Sequence, residues 1–340
     1  MNQKFQSQFI KEWTIQLARD FFLSRHFHEV ETPTLMPRIP IEPNLYPLKT
    51  TWVERKLDFY LATSPESSLK KLIADGLGNC FAISKVFRDL ENIGPTHNLE
   101  FSMLEWYEMG KTYHDIALTT QKLLIHVYNG IQNILGICNN NILNYQDNII
   151  DLSPPWHEYI MTDLFKKYAD MDLSQNLTTQ KLKTTAQKKG YNTEGVDSWE
   201  PLYTQIFINE IESRLPMDKP VIIYDFPTRQ SPLCQPCPNS TTFSQRFEFY
   251  IGGMEIGNAY TELTDAKTLE KNFKKEAAYR KNHSLPLHPP DEKFVEAIGR
   301  LPPCAGIGLG VDRLAMLLAN TSNIEDVLYF PTSKLISDSN

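Results

Sequence analysis

The chain has 340 residues, 41% of them hydrophobic and 22% charged, and carries a formal net charge of −7. That size and apolar content suit one large domain or two ordinary ones, each with a core of its own. The acidic balance argues against a surface that binds nucleic acid as a whole, while leaving room for a local basic patch. The amino-terminal stretch has no basic region followed by an apolar run, and no later stretch reaches membrane-span length, so a cytoplasmic protein is expected. Five scattered cysteines (Cys80, Cys138, Cys234, Cys237 and Cys304) fit reduced thiols better than a disulfide framework, and Cys234-Gln-Pro-Cys237 has metal spacing without a second pair.

Ile10, Trp13, Leu17 and Phe21 recur at helical spacing, which predicts a helix running to about Phe27 and giving way to a strand over Glu29-Val-Glu-Thr-Pro-Thr-Leu35. Phe59–Ala62 is a short strand candidate, and Pro65 suits the first turn of a helix to Asp75. Cys80–Phe87 and Leu99–Tyr107 read as strands joined by a polar loop that holds Arg88, Asp89, Glu91, His97 and Asn98. Residues 114–216 are helical by period and poor in chemistry (His114–Leu135, Glu158–Tyr168, Thr179–Lys189 and Pro201–Leu215), which predicts a helical insertion or supporting layer. A strand at Val221–Tyr224, a hairpin over residues 246–262 and helices at Lys267–Lys281 and Lys293–Ile298 follow. A glycine strand from Gly306 then runs into the apolar helix Leu314–Leu318. Strands dispersed among helices, with a hairpin late in the chain, predict an α+β fold with a mainly antiparallel sheet.

The hairpin concentrates acids. Gly252-Gly253 permits a tight two-residue turn, which sets Tyr250 opposite Glu255 and makes Glu248 its diagonal neighbour. Two carboxylates that close require a cation. Glu262 would face away on a regular strand, but a bulge at Gly257 would bring Asn258, Tyr260 and Glu262 to the first face. Arg88, at a strand end, offers a bidentate clamp for phosphate or carboxylate. Phe101 is able to stack on a purine, and Glu105 and Tyr107 share its face. Equally open are a core Phe101, a Glu105–Arg88 pair and a satisfied buried phenol. The glycines before Arg313 would let a ligand lie flat, although a glycine strand packed on a helix explains them as well. No βαβ unit follows them, so a nicotinamide site is not expected.

Taken in order, these segments resemble the three signature motifs of the class II aminoacyl-tRNA synthetases, and within that class the lysine branch. The first helix with Glu29-Val-Glu-Thr-Pro33 resembles the first motif, usually a dimer element. Phe87-Arg88 through His97-Asn-Leu-Glu-Phe101 resembles the second and Gly308-Leu-Gly-Val-Asp-Arg313 the third, a likeness running from about residue 6 to 331. It implies one catalytic domain with an antiparallel sheet flanked by helices. Arg88 and Arg313 would be catalytic, with Arg88 on the α-phosphate and the amino-acid carboxylate, and Phe101 and Arg313 sandwiching adenine. Asp89, Glu91, His97, Asn98, Glu255, Ile256 and Gly310 would complete the ATP site, and Glu248 and Glu255 would hold Mg2+. Ser64, Pro65, Glu66, Glu105, Tyr107, Asn258, Glu262 and Gly308 would form the pocket for lysine, in its α or β form.

With no room before the first helix for an anticodon-reading OB-fold, the chain looks most like the elongation factor P lysine ligase. That family is a stand-alone catalytic domain, and the stretches Leu285–Asp291 and Leu301–Cys304 add to the likeness. Gly308 stands where many such ligases have alanine, and the loop reads Arg88-Asp-Leu-Glu91 in place of arginine, any residue, glutamate. The implied activity is AMP-forming transfer of lysine or β-lysine to a lysine of elongation factor P by a homodimer. Its rivals are charging of tRNA or a small acceptor, and a non-catalytic regulator that binds lysine or ATP.

Overall fold

The computed structural model describes residues 3–90, 93–137 and 140–337. Helix α1 (Gln6–Leu23) buries Ile10, Thr14, Ala18, Phe21 and Phe22, while Trp13 and Leu17 of the expected stripe are only partly buried at its margin. It stops four residues before Phe27, because the chain turns at His26, whose φ of 61° no helix accommodates. The predicted strand through Pro33 is interrupted as well. Only β1 (His28–Glu29) joins the main sheet, while β2 (Leu35–Met36) pairs with β4 (Leu57–Leu61), itself paired with β3 (Lys49–Trp52), in a small separate sheet. Helix α2 (Glu66–Ala74) follows Pro65, and β5 (Cys80–Phe87) and β6 (Glu100–Met109) form the expected antiparallel pair.

Helix α3 (Tyr113–Leu135) begins at a capping box formed by Thr112 and Asp115 and ends at Gly136 in the left-handed conformation. The next region is less helical than its composition suggests. It contains the hairpin β7 (Ile142–Tyr145) and β8 (Asn148–Asp151), then β9 (His157–Ile160), so the helix expected from Glu158 starts only at α4 (Met161–Ala169). The alternating residues of β9 lie parallel to β10 (Val221–Pro227), and this pairing overrides local helical preference. Between them come α5 (Thr179–Lys188) and α6 (Trp199–Ile206). A single helix to Leu215 is not seen, since α6 gives way to a π-helical turn at Phe207–Ile211 and a 3-10 turn at Glu212–Arg214.

The chain continues through β11 (Pro236–Cys237), β12 (Ser240–Ile251), β13 (Met254–Thr261), α7 (Ala266–Asn282), α8 (Glu292–Ile298), β14 (Cys304–Gly310), α9 (Val311–Leu318) and α10 (Thr332–Ser337). The nine-stranded sheet runs β1-β5-β6-β14-β13-β12-β10-β9, with β11 on β12, and only its outermost pairs are parallel. Strand alternation sorts its faces. Phe81, Leu104, Trp106, Phe247, Phe249, Ala259, Ile307 and Leu309 pack against α1, α3 and α9 in one core. On the opposite face two separate clusters cover the ends. Residues of α4 to α6 pack on Val221, Ile223 and Tyr250, while those of α2, α7 and α8 pack on Cys80, Ala82 and Tyr107. The middle of that face, over β6, β14 and β13, is left for the site.

Register completes the arrangement. Gly308 stands between Glu105 and Asn258, with Glu248 next beyond Asn258, and Gly306 stands between Tyr107 and Tyr260, with Arg246 next beyond. Gly252 and Gly253 have φ of 57° and 75°, the mirror-image turn that two-residue hairpins favour. Tyr250 pairs with Glu255 but Phe249 with Gly257, so Ile256 is the extra residue of a bulge, one position before the glycine expected to carry it. A Cβ at Gly306 would overlap the Tyr107 ring, whereas one at Gly308 would meet nothing nearer than Met103 Sδ at 3.5 Å. Gly306→Ala is therefore expected to cost about 1–3 kcal/mol and Gly308→Ala less than about 1 kcal/mol in urea unfolding.

Candidate active site

A cavity of about 300 Å³ lies over the glycine strand. One end is cationic. Arg88 lines it at the end of β5, its guanidinium 5.1 Å from the centre of the Phe101 ring, and its Nε donates to the Thr63 carbonyl at 3.4 Å. Arg313, in the first turn of α9, donates through Nη1 to the Glu255 carbonyl (3.0 Å) and through Nε to the Thr96 carbonyl (3.3 Å). Its Nη2 lies 2.7 Å from His97 Nε2. An arginine only donates, so Nε2 accepts and the His97 ring proton is on Nδ1, 3.1 Å from the Thr96 hydroxyl. Asn98 is buried and internally engaged, donating to the Glu100 carbonyl (2.6 Å) and accepting from the Thr332 amide (3.1 Å). Ile256 and Gly310 also reach this end.

The other end is an acid nest. Glu66, Glu105 and Glu262 are buried there with Tyr107, beside Ser64, Asn258 and Gly308. Pro65 is off the wall and instead sets the start of α2, one residue before Glu66. Tyr107 donates its hydroxyl proton to Glu105 Oε1, so Glu105 pairs with the phenol and not with Arg88. Tyr260 donates to Glu66 Oε1 at 2.8 Å. Two charged residues that sequence reasoning missed complete the nest. Lys70, fully buried, bridges Glu66 Oε1 and Glu262 Oε2. The only signal for it was its place one helical turn after Glu66, in a Lys-Lys pair that reads as a solvated face. Glu42, from a proline-broken stretch with no period, also lines the cavity, and Arg280 clasps its carbonyl.

Carboxylates outnumber the cations here. Burial, reinforced by the charge of Glu66, pushes Glu42 up to about 8. Glu262 also rises to about 8 through burial, against the pull of Lys70. Burial and Glu66 raise Glu105 as well. Among the described residues neither oxygen of the buried Glu262 has a well-formed hydrogen bond: Oε2 is held only by the Lys70 ion pair, and Oε1 has no partner at all. An orphaned buried carboxylate oxygen of this kind is costly unless a cation is delivered to it.

Glu248 lies just behind the cavity wall. Its Oε1 accepts from Arg246 Nη2 and its Oε2 from the Tyr250 hydroxyl, both at 2.6 Å, and burial together with Glu255 pushes it up to about 7. Arg246 also donates to Asn258 Oδ1 at 2.8 Å, tying the two rows of the hairpin together. Among the described residues no cluster of three or more acids, histidines or cysteines forms a metal cage. Glu248, hydrogen-bonded through both oxygens, and Glu255, whose Oε2 lies 3.7 Å from Arg313 Nη1, are two mutually repelling carboxylates whose hard oxygen donors fit a divalent cation such as magnesium.

Asp89 is off the cavity wall, its amide bonded to the Tyr46 carbonyl and its Oδ1 to the Leu90 amide. Glu91 lies outside the described residues. Cys234 bridges to Glu262 through the backbone, and burial raises its thiol and pushes that of Cys237 to about 12, so neither is poised for thiolate chemistry.

An antiparallel sheet carrying a glycine strand, an arginine-ended strand pair and an acid nest defines a class. The chain belongs to the class II tRNA synthetases (D, K and N), whose family model it matches over residues 1–334. Within that family it is similar to lysine–tRNA ligases. It is 34% identical to that of Bacillus subtilis (strain 168) over 93% of this chain, and 35% identical to that of Serratia proteamaculans (strain 568) over 96%. It is 33% identical over 94% of its length to lysine–tRNA ligase 2 of Methanosarcina acetivorans. It spans 61–63% of the length of these relatives. Among the described residues no helix is long and apolar enough to cross a membrane.

Raised carboxyl groups hold protons in the folded state that the unfolded chain releases near its ordinary carboxylate value. The stability they contribute is complete below about pH 4.5 and is lost as pH rises through 7 to 8. The melting temperature of the ligand-free protein is therefore expected to fall between pH 5 and 8.5, and saturating lysine to flatten that fall, as read by differential scanning fluorimetry.

Proposed function

We propose that the protein activates lysine, in its α or β form, with ATP and passes the acyl group to a lysine side chain of elongation factor P. The observation that carries this reading is the polarity of one cavity, with Arg88 and Arg313 at one end and the orphaned Glu262 oxygen at the other. A ligand that fits has a carboxylate at one end and an ammonium at the other. Lysine has both, and its second ammonium finds Glu66 and Glu42.

In the first step a lysine carboxylate oxygen attacks the α-phosphorus of ATP and pyrophosphate leaves. Arg88 neutralises the charge that develops on the α-phosphate, while Phe101 and Arg313 hold the adenine and the bare glycine strand lets the adenylate lie flat. In the second step an uncharged acceptor amine attacks the acyl carbon, AMP leaves, and the amine proton passes to phosphate or solvent. No protein nucleophile is required. Magnesium held at Glu248 and Glu255 would supply charge neutralisation of the phosphates.

The choice of acceptor rests on the resemblance carried by Leu285–Asp291 and Leu301–Cys304. The first of these stretches packs beside α2 and residues 42–45, for Arg280 donates to the Pro286 carbonyl as well as to the Glu42 and Leu45 carbonyls, and Asp291 pairs with Lys71 of α2. A second reading, tRNA as the acceptor, is favoured by the names of the relatives. We further propose a cytoplasmic homodimer, for which exposed Leu35, Trp52 and Leu57 on the small sheet offer an apolar face.

Lysine-dependent ATP–pyrophosphate exchange tests activation, and its absence with both lysine isomers would sink the reading. Mass spectrometry of elongation factor P, run beside aminoacylation of total tRNA, decides the acceptor: a lysyl adduct only on tRNA overturns the protein-acceptor proposal. Glu255→Gln is expected to abolish exchange with the circular dichroism spectrum unchanged. Glu262→Ala is expected to raise the KM for lysine by on the order of 10³-fold while leaving that for ATP nearly unchanged.

A further inference from the structure

Lys70 places an ammonium directly behind the wall of a pocket read here as one for ammonium, paired with two of the acids that line it, and nothing in the proposed chemistry uses it. Its side chain is 0% exposed, and its Nζ bridges Glu66 Oε1 and Glu262 Oε2, 5.0 Å from the centre of the Tyr260 ring and 5.7 Å from that of Tyr107. Helix α2 cannot easily withdraw it. Leu69 and Ile73 on either side are fully packed under α7 and α8, and Lys71 pairs with Asp291 at the start of α8. A lysine buried this far must keep its partners, so its two carboxylate oxygens are taken for as long as the helix is in place.

We propose that Lys70 is a specificity-determining positioning residue that limits the acid nest to one side-chain ammonium and fixes where that ammonium sits. With Glu66 Oε1 and Glu262 Oε2 occupied, the incoming cation is directed to the free Glu262 Oε1 and to the Glu105–Tyr107 pair. Without Lys70, the gap between Glu66 and Glu262 becomes a second seat for the substrate ammonium. A substrate in that seat carries its carboxylate out of register with Arg88. Lys70 is thus a built-in counter-ion, selecting a substrate by length as well as by charge. This inference rests on the lysine-activation reading.

The test is exchange kinetics of Lys70→Met beside wild type, with lysine and ATP varied separately. The expected result is a fall of roughly 30-fold or more in kcat/KM for lysine, with the KM for ATP held within about two-fold. Lys70→Gln, which keeps amide donors for both acids but removes the charge, is assayed in parallel, so a folding failure of the methionine variant leaves the test standing. In Lys70→Ala, millimolar ethylammonium is expected to restore part of the lost rate, and to restore nothing in wild type. Folded variants that keep wild-type parameters for lysine overturn the assignment, as does an equal loss for lysine and ATP, the mark of a merely structural ion pair. Absence of lysine-dependent exchange in wild type defeats the activation reading and this assignment with it, whereas wild-type exchange matched by Lys70→Gln defeats the assignment alone.

Discussion

A strand whose last three positions on one face are glycines, laid between two strands that carry acids and phenols on that face, is the constraint on which the rest of this structure depends. Gly306, Gly308 and Gly310 of β14 leave a bare strip, and strand alternation buries Ala305, Ile307 and Leu309 on the other side. The strip works only because both neighbours keep register with it. Glu105 and Tyr107 line one margin and Asn258 and Tyr260 the other, and the Tyr107 ring lies so close over Gly306 that no side chain fits there. The helices obey the same constraint, since they cover the two ends of this face and leave its middle open.

The electrostatics follow from that opening. An acid exposed on a sheet would be solvated and mobile, but here the walls desolvate Glu66, Glu105 and Glu262, and only specific cations offset the cost. Three buried or half-buried cations divide the work. Arg246 joins Glu248 to Asn258 within the hairpin, Arg313 joins the His97 loop to β13, and Lys70 joins α2 to the strand end at Glu262. Arg313 and Lys70 bridge elements distant in sequence, so loss of either would loosen two walls at once. The surplus of carboxylate that remains faces the cavity and is available to a ligand.

Much of this was legible in order along the chain. The Gly252-Gly253 turn, the pairing of Tyr250 with Glu255, the two strands around the Arg88 loop and the glycine strand before Arg313 all follow from short-range rules of period and turn chemistry. Where reading failed, a distant partner had overridden local preference. His157–Ile160 is extended because it lies along β10, and the strand expected through Pro33 is split because Leu35 pairs with β4. The bulge fell at Ile256 instead of Gly257, because its position is set by the register that both strands adopt with their other neighbours in the sheet.

The sequence by itself determined which residue types were present and how each was spaced: carboxylates alternating on strands, glycines at every second position of β14, an arginine at a strand end. Those patterns depend on backbone geometry, which is local and has fixed periods. Tertiary structure alone decided which charges meet. Lys70 reads as a surface lysine and Glu42 as a loop acid until α2 packs under α7 and α8 and Arg280 pulls residues 42–45 over the cavity. Glu248 reads as equal to Glu255 until Arg246 and Tyr250 claim its oxygens. Charge interactions act across space regardless of sequence distance, and burial, which sets their strength, is a property of the packed whole.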